Sequence, residues 1–378
     1  MTTVRFAITR LTLTDFRNHA GLRLEPTQPL ICLYGPNGAG KTNILEALSL
    51  LAPGRGLRGQ PFPVLARLDG PGIWAVAAQV EIPSGKATLG TGFEPHQGEA
   101  LSRKISIDGH LEKSSGALAS YLKMLWLTPA LDRLFMGPAS ERRRFFDRMV
   151  SSFNEAHAGH VSAFEKLMRE RNALLHDHRA DTAWLATLET QMAEQAVAIA
   201  AARNDAATLL ARHFAAGEVQ GPFPWGILQL SGEIEELVAT KPAVQAEEEY
   251  ARILLDSRPA DRAQQRTLKG PHRTDFSVLH GPKSTPADLC STGEQKALLI
   301  GLVLAQARAA KEILGASPML LLDEVAAHLD QDRRRGLFAA LDALGTQAWM
   351  TGTDEDLFEA AGPHACRFLV RDGTVRAT

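Results

Sequence analysis

The sequence predicts a mixed α/β fold, a P-loop head whose two halves are separated by an inserted helical lobe. Three observations predict it. Residues 35–42 read Gly-Pro-Asn-Gly-Ala-Gly-Lys-Thr, a complete phosphate-binding loop. Residues 318–324, Pro-Met-Leu-Leu-Leu-Asp-Glu, form an apolar run closed by two carboxylates. Between them, residues 155–215 abandon alternation for helical periodicity.

The first third reads as β-rich. Phe6 and Ile8, then Leu11 and Leu13, alternate, and Leu30–Tyr34 is a short apolar run of strand type. Ile44, Ala47, Leu48 and Leu51 follow at helical spacing, which puts the glycines on a strand-to-helix turn. Gly35, Gly38 and Gly40 let backbone N–H groups converge on a polyphosphate with no Cβ in the way, and Pro36, Asn37 and Ala39 complete the loop. The helix starting near Lys41 directs its positive dipole end at the same anion. Lys41 is expected to reach the β and γ phosphates, and the Thr42 hydroxyl to ligate Mg²⁺, though the loop alone does not separate kinases, GTPases and ATPases. At average glycine usage the fixed positions arise by chance in about one per cent of chains this long, so nucleotide binding is the firmest expectation. Pro83-Ser84-Gly85 predicts one hairpin turn. Asp108-Gly109, between Lys104–Ile107 and His110–Glu112, predicts another.

The middle of the chain changes character. Val161, Phe164, Leu167, Met168, Leu174 and Leu175 follow helical spacing, and after a polar break at 177–181 so do Trp184, Leu185, Leu188, Met192 and Ile199. This predicts a two-helix hairpin, a short arm. The expected segments are an N-terminal head part at 1–122, a helical lobe at 123–264 and a C-terminal head part at 265–378.

In the last third, Pro318–Glu324 reads as a Walker B strand, and its lack of alternation suits burial on both faces of a parallel sheet. Asp323 is expected to hold Mg²⁺ and Glu324 to polarise the water that attacks the γ-phosphate. Ser291 lies 32 residues before Asp323, in Cys290-Ser-Thr-Gly-Glu-Gln-Lys296, with a long apolar helix after it. This segment resembles the signature motif of ABC-type ATPases, usually Leu-Ser-Gly-Gly-Gln, with Ser291 and Gly293 matching. In that family the serine and its helix N-terminus bind the γ-phosphate held by the opposite protomer. Ser291 and Glu294 also form a capping-box pattern, and both readings can hold together. Ala327-His328-Leu329-Asp330 follows at the distance of an ABC D-loop, with Asp330 the matching residue. Residues 347–354, where a switch histidine belongs, contain none, and Thr351 and Thr353 are the nearest candidates. Leu125–Pro129 holds no Q-loop glutamine.

Longer segments narrow the resemblance. Leu11-x-Leu-x-Asp-Phe16-Arg17-Asn18, Pro138-Ala-Ser-Glu-Arg142-Arg143-Arg144-Phe145-Phe146-Asp147, Arg169-x-Arg171-Asn172-x-Leu174-Leu175 and Gly270-Pro271-His272-Arg273-x-Asp275 occur in that order around the P-loop. Over nearly its whole length the chain resembles the RecF family, related to SMC-type ATPases. The resemblance implies a weak, DNA-stimulated ATPase whose ATP-driven homodimer clamps DNA near single-strand gaps. It also implies partner recombination mediators, a role in recombinase loading during repair and replication, and a cytoplasmic location.

Composition sets bounds. The chain has 378 residues, 45% of them hydrophobic and 22% charged, which suits a soluble two-lobed protein. Cys32, Cys290 and Cys366 show neither zinc spacing nor an even disulfide set and read as buried thiols. No apolar run is long enough to span a bilayer. A net charge of −2 provides no global basic field, so a DNA site must be local. Arg142, Arg143, Arg144 and Arg273 are the first candidates, reading phosphates and shape rather than sequence. Two other classes stay open: another SMC-like chromosome ATPase, and a P-loop kinase of a metabolite.

Overall fold

A computed structural model describes residues 5–95, 102–176, 181–216 and 221–378. The chain divides into two compact units: Met1–Asp132 with Val219–Phe223 and Leu299–Thr378, and Arg133–Glu218 with Pro224–Leu298.

Among the described residues, the first unit holds two six-stranded sheets. One is built from β3 (Leu30–Tyr34), β8 (Met124–Leu127), β12 (Met319–Leu322), β13 (Ala348–Gly352), β14 (Ala365–Arg371) and β15 (Thr374–Ala377), in the order β15-β14-β3-β13-β12-β8. All neighbours are parallel except β14 and β15. Every residue of β3, β12 and β13 is buried, as expected of parallel strands covered on both faces. The other sheet is antiparallel, with β1 (Ala7–Phe16), β2 (His19–Leu24), β4 (Trp74–Ile82), β5 (Gly85–Phe93), β6 (Lys104–Ile107) and β7 (His110–Glu112) in the order β2-β1-β4-β5-β6-β7. Here β4 alternates buried and exposed positions, so one face packs on the core. Leu11, Leu13, Phe16, Trp74 and Val76 of this sheet share one apolar cluster with Ile31, Leu33, Leu321 and Trp349 of the parallel sheet. Both predicted hairpins form: Ile82 pairs with Gly85, and Ile107 with His110. Asp108 and Gly109 both take positive φ, 48° and 83°, the type I′ geometry that matches strand twist.

The second unit is mainly helical, with α2 (Ala139–Ser151), α3 (His157–His176), α4 (Thr182–Ala215) and two further helices, Glu233–Thr240 and Ala243–Gln264. A small antiparallel sheet of β9 (Gly226–Ser231), β10 (Asp275–His280) and β11 (Thr285–Pro286) completes it. The predicted arm helices are α3 and α4, but they do not stand as a free hairpin. Met192, Ala193, Ala196, Ile199 and Ala200 of α4 pack with Phe164, Ile234, Tyr250 and Leu254, so α4 is the spine of a multi-helix core. Its run of alanines lets neighbouring helices approach closely. Part of the polar break, 177–180, lies outside the described residues.

The unit boundaries differ from the expected 122/123 and 264/265. Met124–Leu127 is the edge strand of the parallel sheet, paired with β12, so this segment belongs with the P-loop. Residues 265–298 group with the helices because β10 pairs with β9 over six residues, from Asp275↔Ser231 to His280↔Gly226.

Candidate nucleotide-binding site

The P-loop leaves the carboxyl end of β3 and enters a helix, α1, at Lys41–Ser49. Gly35, Gly38 and Gly40 have φ of 141°, 82° and 107°, values that L side chains rarely adopt. A Cβ on Gly35 would collide with the Val370 carbonyl, and one on Gly40 with the Asn18 amide. No side chain caps α1 and no acidic residue occupies its first turn, so its N–H groups and dipole are left for an anion. Lys41 is buried and donates to the carbonyls of Gly35 (2.6 Å) and Pro36 (2.9 Å). Burial pulls its pKa below the ordinary lysine value, against the opposing pull of Glu324, Asp323 and Asp354.

The Walker B residues arrive from β12, separated from β3 by β13. The Thr42 hydroxyl donates to Asp323 Oδ1 at 2.8 Å. A hydroxyl and a carboxylate oxygen are hard donors suited to Mg²⁺. Among the described residues no cluster of three or more His, Cys, Asp or Glu could hold a metal. Two such protein donors suit a Mg²⁺ ion whose other positions are taken by phosphate and water. Glu324 has φ 53°, an uncommon conformation for a residue with a Cβ, costing about 1–3 kcal/mol. The structure thus brings Lys41, Thr42, Asp323 and Glu324 together around the loop.

Two sets of contacts around this loop were not read from the sequence. Thr351, at the end of β13, donates to Asp323 Oδ1 and accepts from the Glu324 N–H, both at 2.8 Å. The β1–β2 turn braces the P-loop from the other side. Asn18 donates to the Ala39 carbonyl at 2.9 Å and accepts from Asn43 at 2.8 Å. The buried His19 ring lies 3.2 Å from the Gly40 carbonyl and 2.8 Å from that of Gly373. Arg17 grips Glu46 of α1 with two nitrogens, at 2.8 and 2.9 Å. The Arg17-Asn18 pair was visible in the sequence, but its target was not.

In the second unit, Ser291, Thr292 and Gly293 are exposed at the start of the helix Thr292–Leu314, with open space around Gly293. The capping box forms: Ser291 N–H donates to Glu294 at 3.0 Å, and Glu294 N–H to the Ser291 hydroxyl at 3.4 Å. An ion pair with Lys283, and then the Ser291 N–H, hold the Glu294 carboxyl down at about 2. Asp330 caps the helix Gln331–Leu344, accepting from Arg333 N–H at 2.8 Å. Cys32 and Cys290 are buried, but Cys366 is half-buried, and all three thiols are free. Burial pushes the Cys32 thiol up to about 12.

The candidate DNA-binding arginines divide. Arg142 turns inward, with Nε and Nη2 on the Asp275 carboxylate at 2.9 and 2.7 Å and Nη1 on the carbonyls of Phe135 and Gly137. Its guanidinium is thus engaged by a carboxylate 133 positions away, with 17% of the side chain exposed. Arg143 is half-buried and donates to the Thr274 carbonyl at 2.7 Å. Arg144 and Arg273 are exposed.

A family model described as the RecF/RecN/SMC N-terminal domain matches residues 7–375. The "DNA replication and repair protein RecF" of Mesorhizobium japonicum is 48% identical over 371 residues, 98% of each chain. That of Brucella suis biovar 1 is 49% identical over 370 residues, 98% of this chain and 96% of its own. The chain belongs to the RecF family. A solved structure titled as the recombination mediator protein RecF with ATP, in the RecFOR pathway, superposes with TM-score 0.85 at 22% identity, covering 100% of this chain and 98% of that one. An SMC head domain from Pyrococcus furiosus gives 0.55 at 16% identity, over 99% and 96% of the two chains. Both share the fold.

Three of the segments that carried the RecF resemblance contribute Asp147, Arg171 and Pro271 to buried ionic networks of the helical unit. Arg203 donates twice to Asp147, at 2.8 and 3.0 Å, and also to Glu235 at 2.7 Å and the Pro271 carbonyl at 2.8 Å. Burial alone would raise the Asp147 pKa, but hydrogen bonds from His157 and Arg203 hold it below the usual carboxylate value. Arg171 is fully buried and meets Glu189 (2.9 Å), Asp261 (2.7 Å), Thr267 (3.0 Å) and the Leu254 carbonyl (2.8 Å). Such charges are tolerated inside a protein only when every donor is matched. The RecF segments Arg142–Asp147, Arg169–Leu175 and Gly270–Asp275 thus act largely by holding the helical unit together.

Proposed function

We propose that the protein is an ATP-switched DNA-binding protein of recombinational repair and replication, with weak ATPase activity. The observation that carries this is the joining of Thr42, Asp323 and Glu324 around an uncapped P-loop helix, in a chain 48% identical over 98% of its length to a protein named for DNA replication and repair. The cofactors are ATP and Mg²⁺.

In this reading Lys41 turns from the loop carbonyls to the β and γ phosphates. Thr42 and Asp323 would hold Mg²⁺, which would supply neutralising charge to the phosphates. Glu324 orients and polarises the attacking water. Ser291 and Gly293 of a second protomer present their helix N-terminus to the γ-phosphate, and Asp330 lies in the matching D-loop. Their exposure in a single chain suits that role, and ATP becomes the cement of a two-fold dimer. Hydrolysis releases it. The partners are duplex DNA and single-strand/double-strand junctions, read without sequence preference, together with recombination mediators. A cytoplasmic location fits the free thiols, and among the described residues no helix is long and apolar enough to cross a membrane.

DNA affinity is expected to require ATP and to fall with salt, log K losing about 0.9 per decade for each phosphate contacted. Arg144→Ala and Arg273→Ala, both at exposed arginines, are each expected to lower that slope by about one and to weaken all sequences alike. Fluorescence anisotropy on two unrelated duplexes and one gapped duplex checks this. Affinity indifferent to both salt and ATP, or strong preference for one duplex, would overturn the DNA clamp and favour the metabolite-kinase reading.

A further inference from the structure

We infer that Thr351 is the positioning residue that sets the geometry of both Walker B carboxylates. The inference rests on the reading of Glu324 as the water-orienting group. Thr351 lies on β13, the strand between the P-loop strand and the Walker B strand, with Thr351 in register with Leu33 and Met350 with Leu322. The carboxyl ends of these three strands therefore lie side by side, the part of a parallel sheet where ligands bind. The side chain is fully buried.

Its single hydroxyl works in both directions. The proton goes to Asp323 Oδ1 and the lone pair receives the Glu324 N–H, each at 2.8 Å. Asp323 Oδ1 also accepts from Thr42 at 2.8 Å. Thr42 is the hydroxyl that Mg²⁺ would recruit, and the Thr351 donation is the one left to orient the carboxylate. The contact to Glu324 does separate work. At φ 53° the Glu324 backbone is in a conformation that most residues avoid, and it is the Thr351 oxygen that receives its amide proton. That conformation decides the direction in which the Glu324 side chain leaves the strand end. In residues 347–354, which contain no histidine, Thr351 thus joins the metal-side carboxylate to the backbone of the water-side residue through one oxygen.

The test compares Thr351→Val, which keeps the branched shape and loses the hydroxyl, with Thr351→Ser, which keeps the hydroxyl. Wild type and Glu324→Gln are the references. Thr351→Val is expected to lose about tenfold to a hundredfold in kcat, because the reacting groups are misplaced rather than removed. Its KM and its ATP affinity by calorimetry are expected to stay within about twofold, since nucleotide affinity rests on the P-loop. Thr351→Ser is expected to restore most of the rate. In the protein without nucleotide, hydrogen–deuterium exchange of the peptide spanning Asp323–Glu324 is expected to quicken in Thr351→Val and not in Thr351→Ser, because only the valine leaves the Glu324 N–H without an acceptor. Wild-type turnover in Thr351→Val beside a dead Glu324→Gln would overturn the positioning role alone. Equal losses in the Val and Ser variants would also overturn it, since shape rather than the hydroxyl would then matter. Undiminished turnover in Glu324→Gln would overturn the underlying reading of Glu324.

Discussion

Lys41→Ala is expected to abolish tight ATP binding while the fold stays intact. The P-loop offers a polyphosphate backbone N–H groups and this one cation. In the structure the Lys41 ammonium already sits inside the loop, on the carbonyls of Gly35 and Pro36. Charge-assisted hydrogen bonds contribute about 1.5–3 kcal/mol each, so losing the contacts to two phosphates weakens binding by about a hundredfold or more. The loop itself keeps its shape, because Asn18 holds the Ala39 carbonyl and the His19 ring lies against that of Gly40. Calorimetric titration with ATP measures the loss, and far-UV circular dichroism confirms the fold. Unchanged affinity would place the phosphate site elsewhere.

Arg171→Met is expected to have the largest effect on stability. The substitution retains much of the volume but leaves Asp261, fully buried, and Glu189, at 3% side-chain exposure, without their central cation. Removing one partner from a buried ionic cluster costs about 3–5 kcal/mol, because the remaining charge is desolvated and unpaired. Arg258 still pairs with Glu189 at 2.6 Å, so the stranded group is chiefly Asp261. With a urea m-value of up to about 3 kcal/mol/M, the midpoint of the transition that includes the helical unit is expected to fall by about 1 M or more. A midpoint within experimental scatter of wild type would mean that the network contributes nothing to the fold.

What could be read in the sequence depended on the range over which the chemistry acts. The P-loop, the Asp108-Gly109 turn and the Ser291–Glu294 capping box are local: each satisfies backbone groups within a few residues, so the residue types announce the geometry. Burial and pairing across long separations are not announced. Arg142 looked like part of a basic cluster because its partner Asp275 is far away in the chain. Arg171 and Asp261, ninety positions apart, gave no sign of their contact. The four residues of β8 are too few to show periodicity, and only pairing with Met319–Leu322 reveals them as a strand of the parallel sheet. At the nucleotide site, the residues proposed to bind phosphate and Mg²⁺ could be named from the sequence because that chemistry narrows the choice of residue. The supporting hydroxyl of Thr351 was legible only as a position in the chain, since its role comes from β13 lying between β3 and β12.

The most direct test of an ATP-cemented dimer is sedimentation velocity of Glu324→Gln, in which Asp323 and the P-loop remain but hydrolysis is expected to be slow. With Mg²⁺-ATP it is expected to sediment as a dimer, to carry a gapped duplex with it, and to return to monomer when ATP is removed. Adding Ser291→Arg, which places bulk and charge at the exposed helix start, is expected to leave ATP binding intact and the protein monomeric. Identical sedimentation with and without ATP, or a dimer that survives Ser291→Arg, would contradict the account.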